Sequence, residues 1–194
     1  MTAGVVSAYL IGSIPFALLL ARRWGTADLR AIGSGNLGAA NVMRASGVKA
    51  GIVVALLDIA KGAASVALAQ RLSEDAAAPA VAGLAAIVGH IYPVWLRFRG
   101  GKGVATACGV FSVLTPAAVP PALLVFIGAV WLTKYISLGS VAATVMLPPI
   151  AYATGSPSPV VAVAFAASAI IVFRHRSNLA RLRTGTERRI GMRA

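Results

Sequence analysis

The chain has 194 residues, 58% of them hydrophobic and 12% charged, with a mean hydropathy of +0.83. Soluble globular domains carry about 25% charged residues, so the composition excludes that class and indicates an integral membrane protein. A net charge of +13 would suggest nucleic acid in a soluble chain, which makes the placement of the cations the next question.

No Lys or Arg precedes Arg22, and the first apolar stretch runs to Ala21, so the amino end reads as a retained span and not as a cleaved signal peptide. Apolar runs bounded by charge or by Gly and Pro predict seven helices, over 5–21, 48–69, 77–96, 104–115, 117–132, 138–154 and 159–173. A full crossing takes about 20 residues. The run 104–115 therefore tilts, sits in a thinned region or packs as a partial helix. The alternative is one hairpin-like element over 104–132, broken at Thr115-Pro116 and Pro120-Pro121. The expected fold is an all-α integral membrane protein with seven transmembrane helices and no separate soluble domain.

Seven crossings place the loops alternately on two sides. One side holds Arg22, Arg23, Arg30, Arg44, Lys49, Arg97, Arg99, Lys102, Lys134 and the tail arginines 174, 176, 181, 183, 188, 189 and 193, while the other holds only Arg71. By the positive-inside rule the tail is cytoplasmic and the amino terminus outside. That asymmetry accounts for the charge, so no nucleic acid partner is expected.

Asp28 to Arg44 form the first cytoplasmic segment. Its Gly33, Gly35 and Gly38 stand at GxGxxG spacing, but no strand precedes them and no βαβ unit encloses them, so a dinucleotide fingerprint is not supported. The bland reading is a membrane-edge loop of small residues. The functional reading is that Ser34, Asn36, Asn41 and Arg44 offer hydroxyl, amide and guanidinium groups to a phosphate-bearing polyol. A helix starting near Asn36 would add its first N–H groups. Further on, Asp58 and Lys61 lie at i,i+3 inside an apolar span. A charge at that depth costs a few kcal/mol unless paired or hydrated, so they are expected to pair as a brace and not to relay protons. Gly62 beside them would admit a close helix neighbour.

Gly89-His90-Ile91-Tyr92-Pro93 leads into Arg97-Phe98-Arg99-Gly100-Gly101-Lys102-Gly103. Cations among glycines suit an anion, since glycine backbone can turn N–H groups inward. Leu96 stands where a Walker A loop needs glycine, and no hydroxyl follows Lys102, which argues against NTP hydrolysis. Topology anchoring suffices for Arg97 and Arg99 but leaves Gly100, Gly101 and Gly103 unexplained. His90 reads as a structural hydrogen-bonding residue. With only His90 and His175, a lone Cys108 and no carboxylate at ligand spacing, neither a metal site nor a disulfide is expected. Ser137 and Ser140 open the sixth helix, where an N-cap is the simplest role. In a helical tail His175, Asn178 and Arg181 would share a face, with the solitary Glu187 following. A basic tail commonly serves attraction to anionic lipid, but this mixture suggests a specific ligand.

Six stretches together carry a family resemblance. They are Gly12-Ser13-Ile14-Pro15-Phe16, Ser34 to Asn41, Leu57 to Gly62, Gly89 to Pro93 with Phe98 to Thr106, Ser137 to Ser140, and Arg174 to Leu182. In this order, and over nearly the whole chain, the sequence resembles the bacterial acyl-phosphate-dependent glycerol-3-phosphate acyltransferases, the PlsY family. Arg99, where the family commonly has Lys, and the longer basic end from Arg188 to Ala194 are departures that keep the charge sign.

The resemblance implies a single transmembrane acyltransferase domain over 1–194, multi-pass in the bacterial inner membrane, with its active site on the cytoplasmic side. It would move a fatty acyl group from acyl phosphate to the 1-hydroxyl of sn-glycerol 3-phosphate, giving lysophosphatidic acid at the first acylation step of phospholipid synthesis. The implied partners are acyl phosphate, glycerol 3-phosphate and membrane lipid, with no cofactor. Consistently, Trp95 and Ala180 stand at the aspartate place of the HxxxxD pattern used by the other acyltransferase class. The expected catalytic residues are Ser34, Lys102, His175 and Asn178. Those expected to bind substrate are Gly35, Asn36, Asn41, Arg44, Gly100, Gly101, Gly103, Ser140 and Glu187. Lys102, Arg44 and the Ser34 region would grip a phosphate, and Ser140, His175 and Asn178 would orient the glycerol. The proton would pass to the substrate's own phosphate, or alternatively to His175 as base. A transporter of phosphorylated metabolites would instead need a midplane site, whereas the polar clusters gather at one face.

Overall fold

The computed structural model describes residues 2–24, 28–31 and 35–191. Gly33, Ser34 and Arg193, used in the readings above, lie outside these residues. Among the described residues all regular structure is helical. The chain forms two compact bodies, 1–113 and 114–193.

In the first body, α1 (Thr2–Gly12) and α2 (Phe16–Arg23) divide the run expected to be one helix. Pro15 has no N–H to continue the ladder and restrains Ile14 before it. Ser13 and Ile14 close α1 on the carbonyls of Tyr9 and Ile11, leaving the Ile14 carbonyl at the break. The short α3 (Ala39–Ser46) and the long α4 (Val48–Leu72) follow. Next, α5 (Ala78–Ile91) stops before Pro93, and a 3-10 turn over Val94–Leu96 completes the expected span. The glycine loop then leads into α6 (Val104–Leu114).

Backbone contact at glycines holds these helices. A Cβ on Gly12 would overlap the Ala86 backbone, and one on Gly89 would overlap the Tyr9 carbonyl, so α1 and α5 meet without side chains between them. In the same way Gly62 and Gly109 bring α4 and α6 together, against the carbonyls of Thr106 and Ile59 respectively. Lipid offers no hydrophobic drive between helices, and close packing of small residues takes its place.

The second body contains α7 (Val119–Thr133), α8 (Ile136–Ala153), α9 (Ser158–Arg174) and α10 (Arg176–Arg183). Gly139 of α8 packs against the Phe126 carbonyl and Val130 of α7. Lys134, left-handed at φ 63°, ends α7 and turns the chain into α8. At His175 the axis bends by 55° between α9 and α10.

Among the described residues four helical stretches are long and apolar enough to cross a membrane, namely Thr2–Arg23, Val48–Leu72, Ala78–Leu96 and Ile136–Ala153, with a fifth if the bent pair α9–α10 counts as one span. The apolar α6 and α7 are shorter, at 11 and 15 residues. The shortness of α6 agrees with the sequence expectation.

The α4–α6 seam yields a test. Gly109→Val forces two backbones apart and should cost about 1–3 kcal/mol, read as a lowered melting temperature in detergent. Gly128→Val, where an added Cβ meets nothing within 4 Å, should melt like the parent.

Candidate active site

Side chains before and within α3 set the local backbone around Gly38. Asn36 Oδ1 accepts the Gly38 N–H at 2.8 Å, a local turn that competes with helix. Gly35 is left-handed at φ +65°. The helix consequently starts at Ala39, three residues later than a start at Asn36 would have it. Asn41 is buried and donates through Nδ2 to the Leu29 carbonyl at 3.0 Å. Arg44 follows one helical turn later, half-buried. Ser34, the expected catalytic hydroxyl, lies outside the described residues.

The glycine loop is fastened to the end of α5. Gly100 N–H donates to the Ile91 carbonyl at 3.0 Å and Gly101 N–H to the His90 carbonyl at 3.1 Å. The glycine pattern had suggested that these amides turn toward an anion. Instead they meet carbonyls that a helix end leaves without partners. The glycines are needed for another reason. A Cβ on Gly101 would overlap His90 Nε2, and one on Gly100 would overlap the His90 carbonyl. Gly103, at φ +90°, turns the chain into α6, and Lys102 sits half-buried between these anchors. Ahead of them Arg97 and Phe98 are both left-handed, at φ 51° and 61°, and exposed.

Beneath the loop lie three buried ionisable side chains. Lys61 Nζ stands 2.8 Å from Asp58 Oδ1, so the expected pair forms. The same ammonium donates to the Ile14 carbonyl at 2.8 Å and lies 5.7 Å from the Phe16 ring centre. His90 Nδ1 is 3.6 Å from Asp58 Oδ1, closer to ion-pair than to hydrogen-bond geometry. The i,i+3 spacing announced the pair, but nothing in the sequence tied His90 to it.

In the second body the residues from α8, α10 and the tail converge on Glu187. Its Oε1 accepts from Ser137 Oγ at 2.8 Å and from Asn178 Nδ2 at 2.6 Å, and its Oε2 accepts from Arg181 Nε at 2.7 Å. Burial pushes this carboxyl up, but hydrogen bonds from Asn178, Ser137 and Arg181, with the Arg181 charge, outweigh it and hold the group below the usual glutamate range. Ser137 is therefore not an N-cap. Nor is Ser140, whose hydroxyl donates back to the Ile136 carbonyl at 2.9 Å; the N-cap of α8 is Tyr135, without a side-chain bond. His175 is buried at the bend, Nδ1 2.8 Å from the Ile171 carbonyl. Asn178 and Arg181 share the face that the tail spacing predicted. Among the described residues no three His, Cys, Asp or Glu cluster as metal ligands would.

Residues 2–185 match the family model described as glycerol-3-phosphate acyltransferase. The chain belongs to the glycerol-3-phosphate acyltransferase family. The acyltransferase of Syntrophotalea carbinolica is 46% identical over 187 residues, covering 95% of each chain. That of Geobacter sulfurreducens is 47% identical over 94% of this chain and 93% of its own. Among solved structures, PlsY (YgiH), an integral membrane glycerol 3-phosphate acyltransferase, superposes in its glycerol 3-phosphate form with a TM-score of 0.93. The two are 41% identical over 98% of this chain and 95% of that one. Its lysophosphatidic acid form gives a TM-score of 0.90 at 40% identity.

Within this acyltransferase, Glu187 gives a pH test. Its folded value lies below the ordinary 4.5, so its stabilisation is complete above that value and is lost as pH falls through the lower, folded one. Glu187→Gln should lower stability at pH 7 by about 1–3 kcal/mol. In melts repeated toward pH 3, the gap between variant and parent should close.

Proposed function

We propose that this enzyme transfers a fatty acyl group from acyl phosphate to the 1-hydroxyl of sn-glycerol 3-phosphate, releasing lysophosphatidic acid and inorganic phosphate. The observation that carries the reading is the full-length likeness to one enzyme in two forms, one with glycerol 3-phosphate and one with lysophosphatidic acid. These are the acceptor and product of a single acylation. Acyl phosphate as donor rests on the motif resemblance to the PlsY family.

In the proposed mechanism the glycerol oxygen attacks the acyl carbonyl and forms the ester C–O bond. The carbonyl-to-phosphate C–O bond breaks, and the leaving phosphate takes the hydroxyl proton. The donor is already activated, so positioning and charge neutralisation carry most of the catalysis. We assign Lys102 and Arg44, with the segment around Ser34, Gly35, Asn36 and Asn41, to gripping a substrate phosphate. Ser140, His175 and Asn178 orient the glycerol. Gly100, Gly101 and Gly103 shape the loop around Lys102. Glu187 acts through Asn178, whose amide it fixes. The whole of 1–194 serves as one transmembrane acyltransferase domain. Its seven crossings leave the amino terminus outside and the site on the cytoplasmic face of the bacterial inner membrane, a topology supported by the one-sided distribution of Lys and Arg.

Purified protein incubated with acyl phosphate and labelled glycerol 3-phosphate should yield labelled lysophosphatidate; no product would overturn the reading. His175→Ala separates two roles. Loss of the acidic limb of the pH–rate profile, where a base is protonated and idle, would make His175 the base, whereas the proposed positioning role predicts an unchanged profile at a rate lowered about 10²-fold or more.

A further inference from the structure

We infer that Asp58, Lys61 and His90 form a buried mount that positions the Gly100–Gly103 loop, and that this mount sets the affinity for the phosphate the loop holds. The inference rests on the proposed reading of Lys102 and its loop as a phosphate site. It adds three positioning residues from inside the apolar helices, none of which touches substrate.

The contacts run in one chain through the first body. Lys61 on α4 donates to the Ile14 carbonyl at the break between α1 and α2, which also accepts the Phe16 N–H. It also pairs with Asp58 one turn back, and Asp58 faces His90 Nδ1 on α5. The other edge of that imidazole, Nε2, packs on the backbone of Gly101, at the one loop position where any Cβ would strike it. The backbone carbonyl of His90 accepts the Gly101 N–H. His90 thus meets the loop through both its ring and its main chain, and Asp58 determines where the ring stands. All three side chains are buried. They share with Ser13, Pro15 and Gly101 the wall of a cavity of about 10 Å³, room for roughly one water. With the three side chains buried, a shift in the pair passes to packed neighbours.

A plain helix brace would make the pair dispensable once its charge is removed, because a buried ion pair is often replaced by apolar residues without loss of stability. A mount would not be. This difference separates the two roles. The test uses Asp58→Leu/Lys61→Met in the full-length enzyme, which removes both charges together. Melting in detergent should stay near that of the parent. KM for one of the two phosphate substrates should rise on the order of tenfold or more, as for other small displacements of positioning groups, with kcat and the other KM little changed. His90→Ala leaves the ion pair in place and should raise the same KM, and it stands in if the double variant does not fold.

A folded double variant, or folded His90→Ala, with both KM values at the parent level would overturn the mount. Lys102→Ala serves as the reference. If it is defective while the mount variants behave like the parent, the mount alone falls. If Lys102→Ala leaves both KM values and kcat unchanged, the phosphate reading of the loop fails and takes the mount with it.

Discussion

A carboxylate taken out of water must be met by enough donors to replace its hydration, and both bodies of this structure are arranged around that requirement. In the first, Asp58 lies mid-way along a span and is answered by Lys61 and His90. The ammonium that neutralises it has a second bond to make and makes it to the Ile14 carbonyl. The helix break at Pro15, a defect in an apolar span, thereby gains a charged donor beside the Phe16 N–H. In the second body Glu187 draws donors from Ser137, Asn178 and Arg181. A tail with no apolar reason to fold back is held against α8 and α10 by this carboxylate, helped by the Ile190 N–H on the Lys134 carbonyl and by Arg189 on Tyr135.

Three further breaks, before α3, after α5 and at His175, carry residues to which the chemistry is assigned. Regular helix satisfies its own polar groups, which is why it dominates in lipid. Every interruption frees carbonyls or amides that need partners, and those partners are the residues that stand out in the sequence. The loop glycines serve the end of α5, Asn36 serves the turn before α3, and the bend at His175 brings Asn178 and Arg181 onto Glu187.

For the glycines, the structure revised a plausible sequence argument. Three glycines beside a lysine resemble a backbone anion cradle, yet the Gly100 and Gly101 amides close onto α5, and Gly101 is small because the His90 ring lies against it. A glycine pattern records that something approaches closely without recording what. The same ambiguity made Ser137 and Ser140 look like caps. A hydroxyl in a first helical turn bonds locally unless a better acceptor arrives, and Glu187, 50 positions away from Ser137, is such an acceptor.

Composition and period by themselves determined the all-helical membrane class, the approximate positions of the apolar helices, the shortness of α6 and the Asp58–Lys61 pair, because hydropathy and i,i+3 spacing are local properties. The motif order was enough to indicate the family. Tertiary structure alone decided that His90 joins the buried pair, that Glu187 gathers Ser137, Asn178 and Arg181, and that two loop amides serve a helix end. Each of these depends on which distant group lies within hydrogen-bonding or ion-pairing distance, about 3–4 Å, of a donor or acceptor. That distance is set by how closely glycine-lined helices pack, which no local pattern in the chain encodes.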